Sequence, residues 1–339
     1  MQLEQAALRL DEETAARVRP AVAWLRERSV TDVPDLSVVG DYLGTELLRQ
    51  RSDGPAGSHD LHETAWALAD LFTAVGLVEQ AALCRSRSVH ELLAVGEWTR
   101  SFRSTPSAFW LPALQAMRHG VAVPPRASLS LASARALLLK VGDGLTLAPD
   151  GLLPVATVRA LDDRFRWTDE FPWMQATDEI AVAPLRLIRE HLVAQRLLVT
   201  DGRRLVRSPA GVASSNDTAL LWRTVVDPAP RWSSEFERDA LGVVAASVLR
   251  SSDFALGRVA EELTHVLLGK WRPRPGSPDR LFDGAAPVAQ AWYQLGVPLS
   301  WWDTGRGPAD RRPNPLGRAA AVAVLRSVAG RSPTAEPRS

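Results

Sequence analysis

An Asp-Gly pair in the second half of the chain constrains the fold more than any other feature. Asp201-Gly202 lies between two short runs of alternating apolar and polar residues. Such a pair favours the two-residue turn of a β-hairpin, because both positions of that turn can require a positive φ. Strand patterns are almost absent elsewhere, and helical periodicity dominates the chain. The sequence therefore predicts a mainly α protein in which residues 201–211 form a short hairpin.

The segments in front of this hairpin are predicted to be helices. Residues 129–144, 155–165 and 180–199 carry helical patterns, and a short extended stretch occupies residues 145–154. Three helices followed by a two-stranded wing is the order of elements in a winged-helix unit. We therefore assign residues 131–211 to a first winged-helix-like unit, the first copy.

A similar order of segments recurs about 100 residues later, a spacing that fits a duplicated domain and is too long for a solenoid. Residues 217–330 again show helical segments, then a stretch in the place of a wing, then a last helix. Both copies close on a Pro-x-Gly ending, at residues 208–211 and 314–317, and Gln195 and Gln294 precede the two wings. We therefore predict that residues 217–330 form a second, degenerate winged-helix-like unit, the second copy.

The remaining segments frame these two copies. Residues 1–120 contain helical patterns with almost no strand signal and are predicted to form a helical N-terminal domain. Within it, Pro20 is expected to break a helix, and Ser88 is expected to cap another. Residues 121–130 form a Pro-rich linker, and residues 331–339 have the composition of a disordered tail. The predicted fold is thus a helical domain followed by two tandem degenerate winged-helix-like units with short β-hairpin wings.

The first copy also carries a more specific pattern after its glycine turn. Its positions are Leu145, Thr146, Gly151 and Leu153, and it closes at residues 208–211. This pattern resembles a segment of poorly characterised actinobacterial plasmid-type proteins, in which Gly tends to stand where this chain has Arg196. An excess of Arg over Lys likewise indicates a GC-rich genome, such as an actinobacterial one. The resemblance covers residues 131–211 only and implies a winged-helix-like fold. It assigns no function, since a fold alone does not define one.

A basic stripe in the first copy suggests contact with duplex DNA. In a winged-helix protein the third helix enters the major groove, and the wing contacts phosphate. Within the predicted third helix (184–197), arginines recur at helical spacing on one side, and the wing adds further arginines. The six candidate positions are Arg186, Arg189, Arg196, Arg203, Arg204 and Arg207. The alternative is a solvated helix face, because residues 131–211 contain nearly as many acidic as basic residues.

The second copy favours a different class of function. Its predicted third helix, residues 285–296, has no basic residue and is rich in large apolar side chains. Tryptophan and arginine are the residue types that most often dominate protein interfaces. The candidate interface positions are Trp271, Arg272, Arg274, Trp301 and Trp302. The two hypotheses are therefore a DNA-associated or regulatory protein, and an interaction or scaffold component that binds a protein partner or a second copy of itself. The resemblance adds a mobile-element or defence system as one setting for the second.

Composition and motifs exclude several other classes. The formal net charge is +1, so any contact with nucleic acid must come from a local patch. The single cysteine, Cys84, rules out an internal disulfide, and we find no phosphate-binding loop, nucleophile elbow or dinucleotide fingerprint. His59 and His62 are better explained as a polar helix start than as metal ligands. We therefore expect a cytoplasmic protein with no membrane span, no cofactor, no metal and no catalytic site.

Overall fold

The computed structural model is mainly helical. It describes residues 2–29, 31, 33–50, 61–102, 105–119, 123–170, 175–227, 232, 234–250, 256–272, 280–303 and 311–329. Within these residues, the named strands belong to one small three-stranded antiparallel sheet. No helix in these segments is long and apolar enough to cross a membrane.

The chain folds into two compact bodies. The N-terminal body comprises residues 1–103, 110–119 and 329–339, and the C-terminal body comprises residues 104–109 and 120–328. Nearly all of both predicted copies therefore falls within one body.

The N-terminal body contains a series of short helices. These are α1 (Gln2–Ala7), α2 (Glu12–Arg28), α3 (Leu36–Asp41), a π-helical turn (Tyr42–Glu46), α4 (Leu47–Gln50), α5 (Leu61–Ala74), α6 (Val78–Cys84), α7 (Arg87–Arg100) and most of α8 (Ser107–His119). Helix α2 begins where the Asp11 carboxylate accepts the Thr14 N–H at 2.9 Å. It continues through Pro20, so the predicted break is wrong. Helix α7 is capped by Ser86, two residues before the predicted cap.

Apolar spacing explains how these helices pack. On α2, Val18, Val22 and Leu25 lie on one face of the helix and are buried. They share the core with Leu68 and Phe72 of α5, whose side chains are fully buried. Burying a side chain of this size stabilises the fold by about 1.5–3 kcal/mol.

The C-terminal body holds the sheet and the remaining helices. These are α9 (Ala127–Ser130), α10 (Ala132–Val141), β1 (Leu145–Thr146), α11 (Val155–Phe165), a 3₁₀ turn (Trp167–Glu170), α12 (Ala183–Ala194), β2 (Leu198–Asp201), β3 (Arg204–Arg207), α13 (Pro209–Asn216), α14 (Thr218–Val226), α15 (Glu235–Arg250), α16 (Leu256–Leu267), α17 (Arg280–Gly296) and α18 (Pro315–Ala329). Part of the predicted linker is thus helical, in α9. The Ser130 hydroxyl on α9 donates to the Leu299 carbonyl at 2.5 Å.

The predicted hairpin is present and carries an additional strand. Strands β2 and β3 pair antiparallel, and Asp201 opposite Arg204 closes the turn, in which Gly202 has a φ of 58°. Strand β1 pairs with the other side of β3, with Leu145 opposite Leu205. The sheet order is therefore β1-β3-β2, which places β2 at an edge. Sequence periodicity predicted only an extended stretch at β1.

The second copy is built around α15. An unbroken run of residues from Asp239 to Leu249 is buried, as expected for a helix surrounded by others. Helices α15, α16 and α17 pack against one another. After α17, the described residues of the predicted wing form a single isolated bridge between Trp302 and Pro313, where hairpin strands were expected. Residues 304–310 of that wing lie outside the described residues.

Candidate functional site

Helix α12, which corresponds to the predicted third helix of the first copy, is buried on two sides. Leu185, Ile188 and Leu192 form one buried stripe, while Leu187 and His191 are buried on another side. The helix packs against α10, α17 and β2. Only a narrow face remains accessible to solvent. It consists of half-buried Arg186, Arg189 and Ala194 together with exposed Glu190 and Val193.

Arg189 is engaged by a buried carboxylate. Its Nε lies 2.6 Å from Oε1 of Glu179, whose side chain has no solvent exposure, and its Nη1 donates to the Gly151 carbonyl at 2.9 Å. The other Glu179 oxygen accepts the Leu153 N–H at 3.0 Å. Burial raises the pKa of Glu179, while the Leu153 N–H and the Arg189 charge oppose that rise. Arg189 therefore fastens the 151–153 and 179 segments to α12.

Arg186 has an acidic neighbour one turn along the same helix. Its Nε is 3.7 Å from Oε1 of Glu190, and the two side chains are 40% and 46% exposed. An exposed pair of this kind contributes about 0–1 kcal/mol. Its consequence is electrostatic, because a carboxylate now sits in the middle of the face that would have to approach phosphate.

The three wing arginines tie the hairpin to the chain on both sides of β1. Arg203 Nη2 donates to the Leu147 carbonyl at 3.3 Å, and Arg204 Nη2 donates to the Asp143 carbonyl at 3.4 Å. Arg207 Nε donates to the Gly142 carbonyl at 2.9 Å. Arg204 and Arg207 satisfy carbonyls of the turn before β1, and Arg203 satisfies one just after it, so the three side chains help to fix the sheet.

Arg196 has a backbone role at the corner between α12 and β2. Its φ is 56°, in the left-handed region that favours glycine, and its carbonyl accepts the Ser208 hydroxyl at 2.7 Å. The Leu197 N–H then donates back to the Leu192 carbonyl at 2.9 Å. The Arg196 side chain is exposed.

The structure does not place the six arginines on one open surface, but it brings Arg189 and Arg203 to a common cleft. The cleft has a volume of about 320 Å³ and lies between α12, the hairpin and the loop after β1. Its lining includes Leu147, Pro149, Arg189, Glu190, Val193, Thr200, Arg203 and Leu205. The lining thus combines apolar side chains with charges of both signs.

The corner at Arg196 recurs in the second copy. Ser300 has a φ of 53°, and Trp301 N–H donates to the Gly296 carbonyl at 2.9 Å, as Leu197 N–H does to Leu192. The positions correspond at an offset of 104 residues. By this offset the counterpart of Gln195 is Leu299. Gln294 lies inside α17, so the two glutamines do not correspond.

The closing helices also begin alike. Ser208 N–H donates to the Leu197 carbonyl and Asn314 N–H donates to the Trp301 carbonyl, each at 3.1 Å. The Ser208 hydroxyl caps α13 by accepting the N–H of the third residue along, Gly211, at 3.0 Å. Asn314 Oδ1 accepts the equivalent N–H, that of Gly317, also at 3.0 Å. A Cβ on either glycine would lie within 3.0 Å of the carbonyl oxygen before the wing.

The tryptophans predicted at an interface lie inside the fold. Trp301 is 1% exposed and packs on Trp292 with ring centroids 4.5 Å apart. Trp302 is 4% exposed and donates from Nε1 to the Tyr293 carbonyl at 2.9 Å. The prediction that they form a surface interface is therefore wrong, because both indoles fill the space beside α17.

The other predicted interface positions differ in exposure. Trp271 is half-buried, and its Nε1 donates to the buried Asp239 carboxylate at 2.8 Å. The same carboxylate lies 2.7 Å from Lys270 Nζ. Arg272 is exposed, and Arg274 lies outside the described residues. Trp271 therefore holds the end of α16 against α15.

A histidine pair in the N-terminal body was not predicted from the sequence. Nδ1 of His62 lies 2.7 Å from Nδ1 of His90, with ring planes 7° apart and centroids 5.0 Å apart. The rings therefore meet nitrogen to nitrogen in nearly one plane, at a hydrogen-bonding distance. Glu97 Oε2 is 3.8 Å from His62 Nε2. The partners are far apart in sequence, so no local pattern could indicate them. His59, which precedes His62 by three residues, lies outside the described residues.

Metal ligands and known relatives give no further assignment. Among the residues that the structure describes, no group of three or more His, Cys, Asp or Glu side chains could hold a metal ion. Comparisons of the chain with protein-family models, curated proteins and solved structures found no significant match.

Proposed function

We propose that this protein is an interaction or scaffold component whose two tandem winged-helix-like copies serve as packing modules. In the first copy, helix, strand, two helices and a hairpin follow one another in the winged-helix order. The corner and cap shared by residues 196–211 and 300–317 support a duplicated origin for the second copy. The resemblance to actinobacterial plasmid-type proteins belongs to the same proposal.

The observation that carries this proposal is that most of the six candidate arginines already contact groups of the same body. Three of the six arginines expected to contact phosphate are paired with a carboxylate of the same body, namely Arg186, Arg189 and Arg207. Arg203 and Arg204 donate to backbone carbonyls. A DNA-binding surface needs several arginines whose charges are not offset locally, because affinity comes from replacing counterions along phosphates. Here Glu179 offsets Arg189, and Glu190 stands beside Arg186 on the exposed face of α12.

Binding to random duplex DNA over a salt series separates this proposal from its main rival. We expect weak binding, with affinity that changes little between low and physiological salt. A protein that neutralises several phosphates would instead lose orders of magnitude in affinity over that range. Steep salt dependence that Arg196→Ala and Arg203→Ala together abolish would overturn the proposal.

DNA association remains the second candidate because of the exposed hairpin side. Arg196, Arg203 and Arg204 are all exposed there. A matched control for the DNA assay is Arg159→Ala with Arg164→Ala, since both arginines lie on the exposed side of α11. If both pairs of substitutions weaken binding equally, the contact is a general charge effect and not a winged-helix site.

A further inference from the structure

The histidine pair of the N-terminal body joins the first turns of two helices. His62 is the second residue of α5 and His90 the fourth of α7, and their Nδ1 atoms lie 2.7 Å apart. The ring planes are 7° apart, so the two nitrogens meet head-on. A second contact joins the same helices, since Glu97 Oε1 accepts the Leu61 N–H at 3.4 Å. The pair therefore helps to hold the start of α5 against α7.

The 2.7 Å separation limits how many protons the pair can bind. A hydrogen bond between two ring nitrogens needs a proton on one of them and a lone pair on the other. One added proton can bind at the far nitrogen of the donor ring, which leaves this bond intact and makes its donor charged. A second added proton has to occupy the accepting Nδ1, where two N–H groups would face each other. The closed pair thus accepts one added proton and excludes the second.

Charges around the pair favour the first added proton and oppose the second. Glu97 Oε2 lies 3.8 Å from His62 Nε2, and a carboxylate there stabilises one imidazolium. Both histidines lie in the first turns of their helices, where the helix dipole disfavours positive charge. Other charged groups on α5, α7 and the elements packed against them form ion pairs, namely Arg17 with Glu63, Arg26 with Glu4, Arg49 with Glu46, Arg85 with Asp70, and Arg87 with Glu91.

The pair lies close enough to solvent for its release to be inexpensive. The His62 side chain is 25% exposed, and Trp66, which packs on the His90 ring with centroids 5.0 Å apart, is 47% exposed. Two imidazolium rings that separate here are hydrated, so neither charge has to be buried.

We propose that the His62–His90 pair is a pH-sensitive switch. It holds the start of α5 against α7 with one added proton or none, and it releases that contact when both rings are charged. This inference does not rest on the proposed function, since the pair belongs to the N-terminal body and the six candidate arginines belong to the C-terminal body.

The direction of the pH dependence follows from the number of protons bound. In the open form both histidines bind protons near the ordinary histidine pKa of about 6.5, whereas the closed form holds only one added proton. The ratio of open to closed form should therefore rise about tenfold for each pH unit well below that value. The contact is complete above this range and is lost as pH falls.

Titration of the two side chains tests their coupling. The full chain is labelled with ¹⁵N at histidine, and the ring nitrogens are followed by NMR from mildly alkaline to acidic pH. His62 and His90 are expected to titrate in two linked steps, the second with a pKa below about 6.5. In His62→Gln or His90→Gln, the remaining histidine should titrate in one step. Independent single steps for both histidines in the unaltered chain would disprove the coupling.

Hydrogen exchange measures the opening itself. Amide exchange at residues 64–70 and 92–98, corrected for the intrinsic effect of pH, is expected to accelerate about tenfold per pH unit in acid. His90→Phe keeps a ring against Trp66 and removes the second titrating group, so it should lose this acceleration. His265→Gln is the matched control, since His265 is exposed on α16, and it should behave like the unaltered chain.

Folding of the variants is checked by circular dichroism at neutral pH, and His62→Gln replaces His90→Phe in the exchange experiment if the latter does not fold. Equal acceleration in the unaltered chain and in the folded variant would mean that other groups cause the opening, and the switch would be refuted.

Discussion

The two copies share a left-handed residue after a helix, Arg196 in the first and Ser300 in the second, but the segments that follow differ. In the first copy, a hydrogen-bonded hairpin leaves from Leu197 and returns at Ser208. In the second copy, Trp301 and Trp302 fill the corner with buried indoles, and one bridge joins Trp302 to Pro313. The corner with its left-handed residue is therefore common to Arg196 and Ser300, and the segment that follows it differs between the two places.

The largest expected loss of stability comes from truncating the side chain of the residue after each left-handed corner. Trp301→Ala should cost about 3–5 kcal/mol of unfolding free energy, and Leu197→Ala about 2–5 kcal/mol. Both side chains are 1% exposed, and the indole also loses its contact with Trp292. Urea unfolding followed by circular dichroism measures both. Equal losses would mean that the indole contributes no more to the corner than leucine does.

The next largest effect tests whether the two caps are equivalent. Gly211→Ala and Gly317→Ala each place a methyl group against the carbonyl oxygen of Leu197 or Trp301. Because the backbone must move to admit the methyl group, each substitution should lower the free energy of unfolding by about 1–3 kcal/mol. Gly151→Ala is the control for backbone strain alone, since its φ is 81° and no atom lies within 4 Å of an added Cβ. A neutral Gly317→Ala beside a destabilising Gly211→Ala would argue against duplication.

Helix capping should give a smaller and similar loss in the two copies. Ser208→Ala removes the acceptor for Gly211 N–H, and Asn314→Ala removes the acceptor for Gly317 N–H. Each change is expected to lower stability by about 1 kcal/mol. The same urea titration measures it, with Ser208→Asn as a conservative variant that should recover most of the loss. Failure of that variant to recover stability would contradict a capping role.

The smallest effect tests the buried Glu179 carboxylate, which lies in the first copy. The folded-state pKa of Glu179 is raised by burial, so the folded chain binds more protons than the unfolded chain between the two pKa values. Stability contributed by this group is thus greatest below that interval and falls as pH rises through it. Glu179→Gln should remove this part of the pH dependence. Parallel stability profiles for the two proteins from acid to neutral pH would refute the assignment.

Local patterns predicted the hairpin and the repeated ending well. The two residues Asp201-Gly202 determine their own turn, and the Pro-x-Gly endings mark the two caps at residues 208–211 and 314–317. The points at which helices break and begin were predicted less well. Helix α2 continues through Pro20, and Ser86 caps α7 in place of Ser88.

The candidate site was harder to predict because its contacts are non-local. Helical spacing correctly indicates that Arg186 and Arg189 share a side of α12, yet it cannot indicate that Glu179 arrives from another segment to neutralise one of them. It likewise cannot distinguish a tryptophan on the surface from one that fills a corner, as Trp301 does. Whether an arginine is available to a partner is decided by the partners it already has.

The two arginines that fasten the loop after β1 have a mechanical consequence. Because Arg189 links that loop to α12 and Arg203 links it to the hairpin, side-chain hydrogen bonds join three chain segments. We expect a force or a ligand acting at the hairpin tip to be felt through the loop at the Glu179 segment, which Arg189 also holds. Deformation at the tip and displacement at residues 179–189 should therefore occur together.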